Sequence, residues 1–262
     1  MTSDTRFMAF VALSEPRTVS ALALAGRVTA RFRDKIPFEI KVPSPSGAGI
    51  ILDIDGVLIT VLQIDKPLPP DAYARALALN RTWKGAEAAL SAHRAHAIVA
   101  TLSPIGSHAD ALNGAAYTTL VNAALMDLTR PIGVVWTTGD ALSEASEFQQ
   151  AAESVAARQL PVLTWLSLTI LAGPPASDGR PTVAMATTGL LPFVGREIEF
   201  EPTVWPPVQV ADRVLGTAQY LMARGMVVKD GDTLGATEAE RIHVRLKEAT
   251  NSRLPLASLR AA

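Results

Sequence analysis

The chain has 262 residues, of which 48% are hydrophobic and 19% charged, with a formal net charge of −1 and no cysteine. That length and apolar share give a globular protein of one large domain or two modest ones. The near-neutral charge argues against a dedicated nucleic-acid binder, which needs a basic surface to displace counterions, and the missing cysteines exclude disulfides, thiolate zinc sites and cysteine nucleophiles.

Residues 1–19 lack the basic region, apolar stretch and small-residue cleavage site of a signal peptide. No run of about 18 residues is both apolar and uncharged, so a soluble cytoplasmic protein without membrane association is expected. In chain order, "FMAFVALS" (7–14) is a short apolar strand, and residues 17–32 space their apolar side chains three and four apart, as a helix does. Ser44–Gly47 is turn chemistry. The runs "AGIILDI" and "VLITVLQI" then meet at Asp55-Gly56. Asp-Gly between two branched runs predicts a type I′ hairpin, because that turn needs positive φ at both central residues. "KPLPP" (66–70) breaks the chain, a helix follows over 82–95, and "HAIVATL" (96–102) is a strand.

A helix over about 108–128 leads to a strand at 132–138 and a helix at 143–159, with Ser143 as its N-cap. Strands are expected at 162–171 and 182–188, joined by the turn cluster "AGPPASDGRP", and at 196–201, where polar and apolar residues alternate. In the last of these, Glu197, Glu199 and Glu201 would line one solvated face. Residues 206–225 form a helix with proline at N1, Gly225 at C′ and an apolar face of Val210, Val214, Leu215, Ala218, Leu221 and Met222. A turn at 229–235 and a strand at 241–246 close the chain.

This order predicts an α+β protein of two ferredoxin-like βαββαβ units, as an internal duplication would give, with antiparallel sheets and helices on one face. The expected division is 1–105 for the first unit, 106–130 for a linking helix and 131–262 for the second unit with the C-terminal Asp-Gly-Asp-Thr turn.

Asp53-Ile54-Asp55-Gly56-Val57 matches the nucleophile motif of haloacid-dehalogenase-type phosphatases. That chemistry also needs a hydroxyl at the end of a second strand (Thr101 or Thr137), a charge-stabilising lysine, and a later acidic pair for magnesium (Asp230 and Asp232). The lysine is missing: none occurs between Thr101 and Val228, Lys229 abuts the acidic pair, and Arg196 is a poor substitute. The eight mostly apolar residues after Gly56 read as a return strand, so the hairpin accounts for the motif better than a nucleophile does.

His93 and His96 lie three apart and could share a helix face, with Asp53 or Glu87 nearby in sequence, but zinc wants three or four ligands and no spacing supplies them. His93 continues the apolar face of Ala86, Ala89 and Leu90, which fits a packed histidine. Gly-rich phosphate loops and the G-x-S-x-G elbow are absent. Trp83, Trp136, Trp165 and Trp205 fit core anchors, and a cluster of them at a groove would instead mark a binding face. Asp230, Asp232 and Thr233 could offer oxygen ligands to a hard cation, or simply shape a turn through aspartate–amide bonds and positive φ at Gly231 and Gly235.

"KDGDTLGATEAERIHVRL", "TTGLLPFVGREIEFEP" and "TWKGAEAALSAHRAHAIVATL" together resemble an uncharacterised bacterial family, the domain of unknown function numbered 4261. The similarity covers nearly the whole chain, in the same order. Its specific element is Asp230 to Gly235, and the Trp83–His96 and Thr187-Thr188-Gly189 segments support it. The resemblance implies no catalytic residues, and it associates the chain with type VI secretion and toxin–immunity loci. The leading expectation is a non-enzymatic protein that binds a protein partner, with no cofactor and no metal. Asp230, Asp232, Thr233, Trp83, His93 and His96 form its candidate functional surface. The alternatives are a metal-dependent hydrolase using Asp53, Asp55, Asp230 and Asp232, and a small-ligand sensor between the two halves.

Overall fold

Apolar runs become strands close to where the sequence puts them, but their pairing is not the expected one. The structure is a computed structural model that describes residues 6–43, 49–235, 237, 240–250 and 254–261. The turn at Ser44–Gly47 and residues 236, 238 and 239 of the C-terminal stretch lie outside them. The protein is mixed α+β and divides into two compact units, Met1–Trp165 and Leu166–Ala262.

The strands of the first unit are β1 (Met8–Leu13), β2 (Ile40–Lys41), β3 (Ile50–Ile54), β4 (Val57–Ile64), β5 (Ala95–Thr101), β6 (Pro131–Trp136) and β7 (Ala141–Glu144). They form one sheet in the order β2-β3-β4-β5-β1-β6-β7, and every neighbouring pair is antiparallel. Its main helices are α1 (Ala21–Phe32), α2 (Ala74–Leu79), α3 (Ala86–Ser91), α4 (His108–Leu128) and α5 (Ala145–Ala156), and α6 (Val162–Trp165) is a single turn. The Ser20 hydroxyl caps α1 by accepting the Ala23 N–H at 3.2 Å.

A split βαβ joins two parallel strands with one strand between them. Here β1 and β3, joined by α1, run antiparallel with β4 and β5 between them, so the expected ferredoxin-like order does not hold. The split unit that does occur is β5-α4-β6, whose parallel outer strands flank β1. That makes α4 a core element of the first unit rather than a linker, and it brings β6 and β7 into the first sheet. The boundary accordingly falls at 165/166 instead of within 106–130. Every residue of α4 from Thr118 to Met126 is buried, because α1 and α5 flank it and the sheet lies beneath it.

Helices cover both faces of this sheet, not one. Side chains alternate along β1: Phe7, just before it, lies under Gly114 of α4, whereas Phe10 and Ala12 join Tyr73, Ala76, Trp83, Ala86 and Leu90 around α2 and α3. Gly133 of β6 lets the two layers meet, since a β-carbon there would stand 2.6 Å from the Trp83 ring.

The second unit contains β8 (Ser167–Gly173), β9 (Thr182–Thr188), β10 (Glu197–Thr203), β11 (Thr233–Leu234), β12 (Ile242–Lys247) and β13 (Leu256–Ala261). Its helices are the turn α7 (Leu191–Val194) and the long α8 (Pro207–Arg224). The sheet order is β11-β12-β13-β10-β9-β8. The β10–β13 pair is parallel, which corrects the expectation of purely antiparallel sheets, and the order differs from that of the first unit, so no duplication is visible in the topology. Helix α8 buries Val210, Val214, Ala218, Leu221 and Met222 against the face that carries Met185, Ile198 and Phe200. Proline at N1 and Gly225 at positive φ bound it as expected.

Candidate functional site

The Asp55-Gly56 hairpin forms as the sequence requires, with φ of 51° at Asp55 and 85° at Gly56. Asp53 turns back on it: its Oδ1 accepts the Gly56 N–H at 2.8 Å. The Asp55 Oδ1 accepts the Glu39 N–H at 2.8 Å, and its Oδ2 accepts the Tyr117 hydroxyl at 2.6 Å. Burial, then the bond to Asp55 and that carboxylate's charge, hold the Tyr117 pKa well above the usual phenol value. Asp55 and Thr101 do share a cleft of about 170 Å³, together with Ser103, Asp110 and Asn113. Asp53 is absent from its lining, no lysine lines it, and the Thr101 hydroxyl oxygen accepts the Phe7 N–H at 3.0 Å. Thr137 donates to the Met8 carbonyl instead.

The expected 82–95 helix shortens to α3, and this separates the two histidines. His93 follows the helix and His96 sits within β5. The His93 ring is fully used: Nε2 accepts the Leu68 N–H at 2.6 Å, so Nδ1 carries the proton that it gives to the Leu90 carbonyl. His96 Nδ1 bonds the Lys66 carbonyl at 2.7 Å. Both rings also meet an aromatic edge, Tyr73 for His93 and Phe10 for His96. Trp83 is buried in the same layer, so these three residues hold the 66–94 segment onto the sheet.

In the second unit, Asp230 Oδ1 accepts the Leu246 N–H at 2.7 Å, and Asp232 Oδ2 accepts the Lys229 N–H at 2.8 Å. Gly231, at φ 87°, donates to Val244, and the Val244 N–H donates to the Asp232 carbonyl. Thr233 opens β11 opposite His243. A β-carbon on Gly235 would stand 2.0 Å from the Glu240 carbonyl oxygen. The Asp-Gly-Asp-Thr-x-Gly element is thus a clip whose turn at Lys229–Asp232 is fastened to β12. Among the described residues no three His, Asp or Glu side chains gather as a metal site would require.

The Thr187-Thr188-Gly189 segment has a comparable role, centred on a residue that sequence reading assigned to a solvated face. Glu197 is only 5% exposed. Its Oε1 accepts the N–H groups of Gly189 and Leu191, and its Oε2 accepts the Thr187 hydroxyl and the Leu190 N–H, all within 3.1 Å. Alternation alone could not reveal this; the signal was three adjacent donors ahead of a short helical turn.

The face of this sheet opposite α8 carries the remaining chemistry. Glu199, Ser258 and Arg245 form one cross-strand row, Arg260 lies opposite His243 in the next, and Glu201 follows Glu199 on the same face of β10. Lys247 bridges Glu199 at 3.1 Å and Glu201 at 3.3 Å, and Ser258 donates to Glu201 at 2.8 Å. The serine bond first, then Lys247 and Arg260, hold the Glu201 carboxyl below its usual range. Around Glu201 lies a depression of about 580 Å³ that includes Asp230, His243, Arg245 and Arg260, the last three exposed. The period-two pattern of His243, Arg245 and Lys247 was the sequence signal for this face.

No curated protein and no solved structure matches the chain. The model of the family described as Domain of unknown function (DUF4261) matches residues 186–256, a narrower span than the sequence resemblance suggested, and one that leaves out Trp83–His96. The matched segment lies within the second unit and contains both the Glu197 carboxylate with its donors and the Asp230–Gly235 clip.

Proposed function

We propose that this chain is a non-enzymatic bacterial protein of the cytoplasm that binds a protein partner through the charged open face of its second sheet. The observation that carries this reading is a contrast. The groups nominated for chemistry, Asp53, Asp55, His93, Asp230 and Asp232, are each engaged by the chain's own backbone. On the open face, exposed Arg245, Arg260 and His243 instead surround Glu201 at a broad depression. Its mixed charge suits a protein surface of complementary sign better than a phosphate backbone. The family resemblance adds the context of an accessory or immunity-like factor near type VI secretion or toxin–immunity loci. No helix of the described residues is long and apolar enough to cross a membrane, which agrees with a cytoplasmic setting.

The test is affinity capture from the native cell with wild type and with the double variant Arg245→Glu, Arg260→Glu. Wild type should retain a stoichiometric protein that the variant loses while keeping its thermal transition. Equal capture by both forms would remove the open face from the reading. Magnesium-dependent turnover of a phosphomonoester, abolished by Asp55→Asn, would replace the reading with the hydrolase alternative.

A further inference from the structure

Among the described residues the two sheets have four edges, and three of them are guarded. β2 is two residues long and carries Lys41, and β11 is also two residues long. At β7, Ala141, Leu142 and Ser143 are buried, with α2, α5 and α6 packed against the strand. Short length, charge and cover are the usual means by which proteins prevent edge-to-edge pairing. β8 lacks the first two, and cover reaches only its start, where Ser167 is buried and Leu168 and Thr169 are half-buried. It is seven residues long, "SLTILAG", and among the described residues it pairs with β9 alone. Ile170 and Leu171 are 45% and 52% exposed, and Ala172 is exposed too. Helix α8 lies over β9 and β10, so Ile170, on the same face as Met185, projects past the helix. Alternate residues of such a strand turn their N–H and C=O groups outward, in a register a further strand can use.

We propose that β8 is a self-association edge, along which two copies of this chain pair antiparallel about a two-fold axis at Ile170. A second copy fits because the edge is complementary to itself. The pairing sets Ile170 against Ile170, Thr169 against Leu171 and Leu168 against Ala172, and it ends before the buried Ser167. No charged residue lies between Gln159 and Asp178, so the two-fold axis brings no like charges together. The contact is isologous and closes at two copies, so it ends in a dimer and not a fibre. It also makes a twelve-stranded sheet from two copies of the six-stranded one.

The absence of cysteine makes the test clean, since any introduced thiol is the only one present. In the proposed register Ile170→Cys faces its own copy at about 5 Å between α-carbons, within disulfide reach. Ala172→Cys is as exposed and on the same face, but sits about 14 Å from its copy. Mild oxidation should convert Ile170→Cys to a covalent dimer and leave Ala172→Cys monomeric. Sedimentation of wild type over a concentration series should show a monomer–dimer equilibrium. Leu171→Lys should lose it while keeping its circular dichroism and thermal transition. A wild type that remains monomeric throughout overturns the proposal, including the case in which a foreign strand occupies the edge. So does equal cross-linking of the two cysteine variants, or a dimer that persists in Leu171→Lys.

Discussion

Glu197 offers a direct test of how the second unit is held together. Its carboxylate is 5% exposed and accepts four donors, three backbone amides and the Thr187 hydroxyl. Glu197→Ala leaves those donors in a site that water barely reaches. A hydrogen bond to a charged acceptor contributes about 1.5–3 kcal/mol, and an orphaned buried donor costs about 1–3 kcal/mol. The four bonds share one acceptor, and the cavity admits some water, so the terms do not simply add. The expected loss is about 3–5 kcal/mol, comparable to removing one partner of a buried ion pair. For a unit of this size that is a fall of at least about 12 °C in Tm, at about 4–8 °C per kcal/mol. Glu197→Gln should lose about half as much. One amide oxygen can still accept two donors, but its NH2 group then faces the other two, and the Thr187 hydroxyl oxygen already accepts the Ile198 N–H. Urea unfolding gives the free energies, and hydrogen exchange in peptides covering 187–198 locates the damage. A loss below about 1 kcal/mol for Glu197→Ala would refute the idea that this carboxylate organises the loop.

Gly133→Ala places a methyl group 2.6 Å from the Trp83 ring and 2.8 Å from the Ser143 carbonyl oxygen, so it should cost about 1–3 kcal/mol by overpacking, read as a shift of the urea midpoint. The folded-state pKa of Tyr117 is raised above its ordinary 10.0, so its contribution is fully present below that value and fades as pH rises beyond it; Tyr117→Phe should flatten the alkaline limb of unfolding free energy against pH. For Glu153 the sign reverses. Bonds from Lys35 and then Arg31 hold its carboxyl below 4.5, so its contribution is present above that value and is lost as pH falls through the lowered one. Glu153→Gln should therefore lose less stability than wild type on acidification from neutral pH, by a modest amount because the pair is partly exposed to solvent.

Local physics made much of this chain legible. Asp55-Gly56 had to be a hairpin turn, since few other residue pairs tolerate positive φ twice in succession. The apolar stripe of α8, with proline before it and Gly225 after it, fixed a helix and its buried face. Other elements misled for identifiable reasons. The periodicity of 82–95 is helical, but Gly85 delays the start and β5 begins at Ala95, so α3 keeps only six residues and His96 becomes a strand residue. Ser143 has cap chemistry, yet β-pairing with Val134 claims it for β7. "VLTW" reads as part of a strand, but the strand begins only at Ser167 and these four residues form a helical turn.

The sequence by itself did not determine the short α2 or the closing strand β13, but it did determine the longer helices, most of the apolar strands, the Asp55-Gly56 turn, the buried face of α8 and the absence of cysteine chemistry. These depend on backbone preference and periodicity within a few residues. Tertiary structure decided strand order, the division at 165/166, the role of α4 as a core helix and the burial of Glu197. Each of these depends on which distant strands share hydrogen bonds, and β1 could satisfy its two edges equally well, by local criteria, with several partners. The choice of β5 and β6 rests on α4, whose small and apolar residues let it sit buried between α1 and α5 above the sheet.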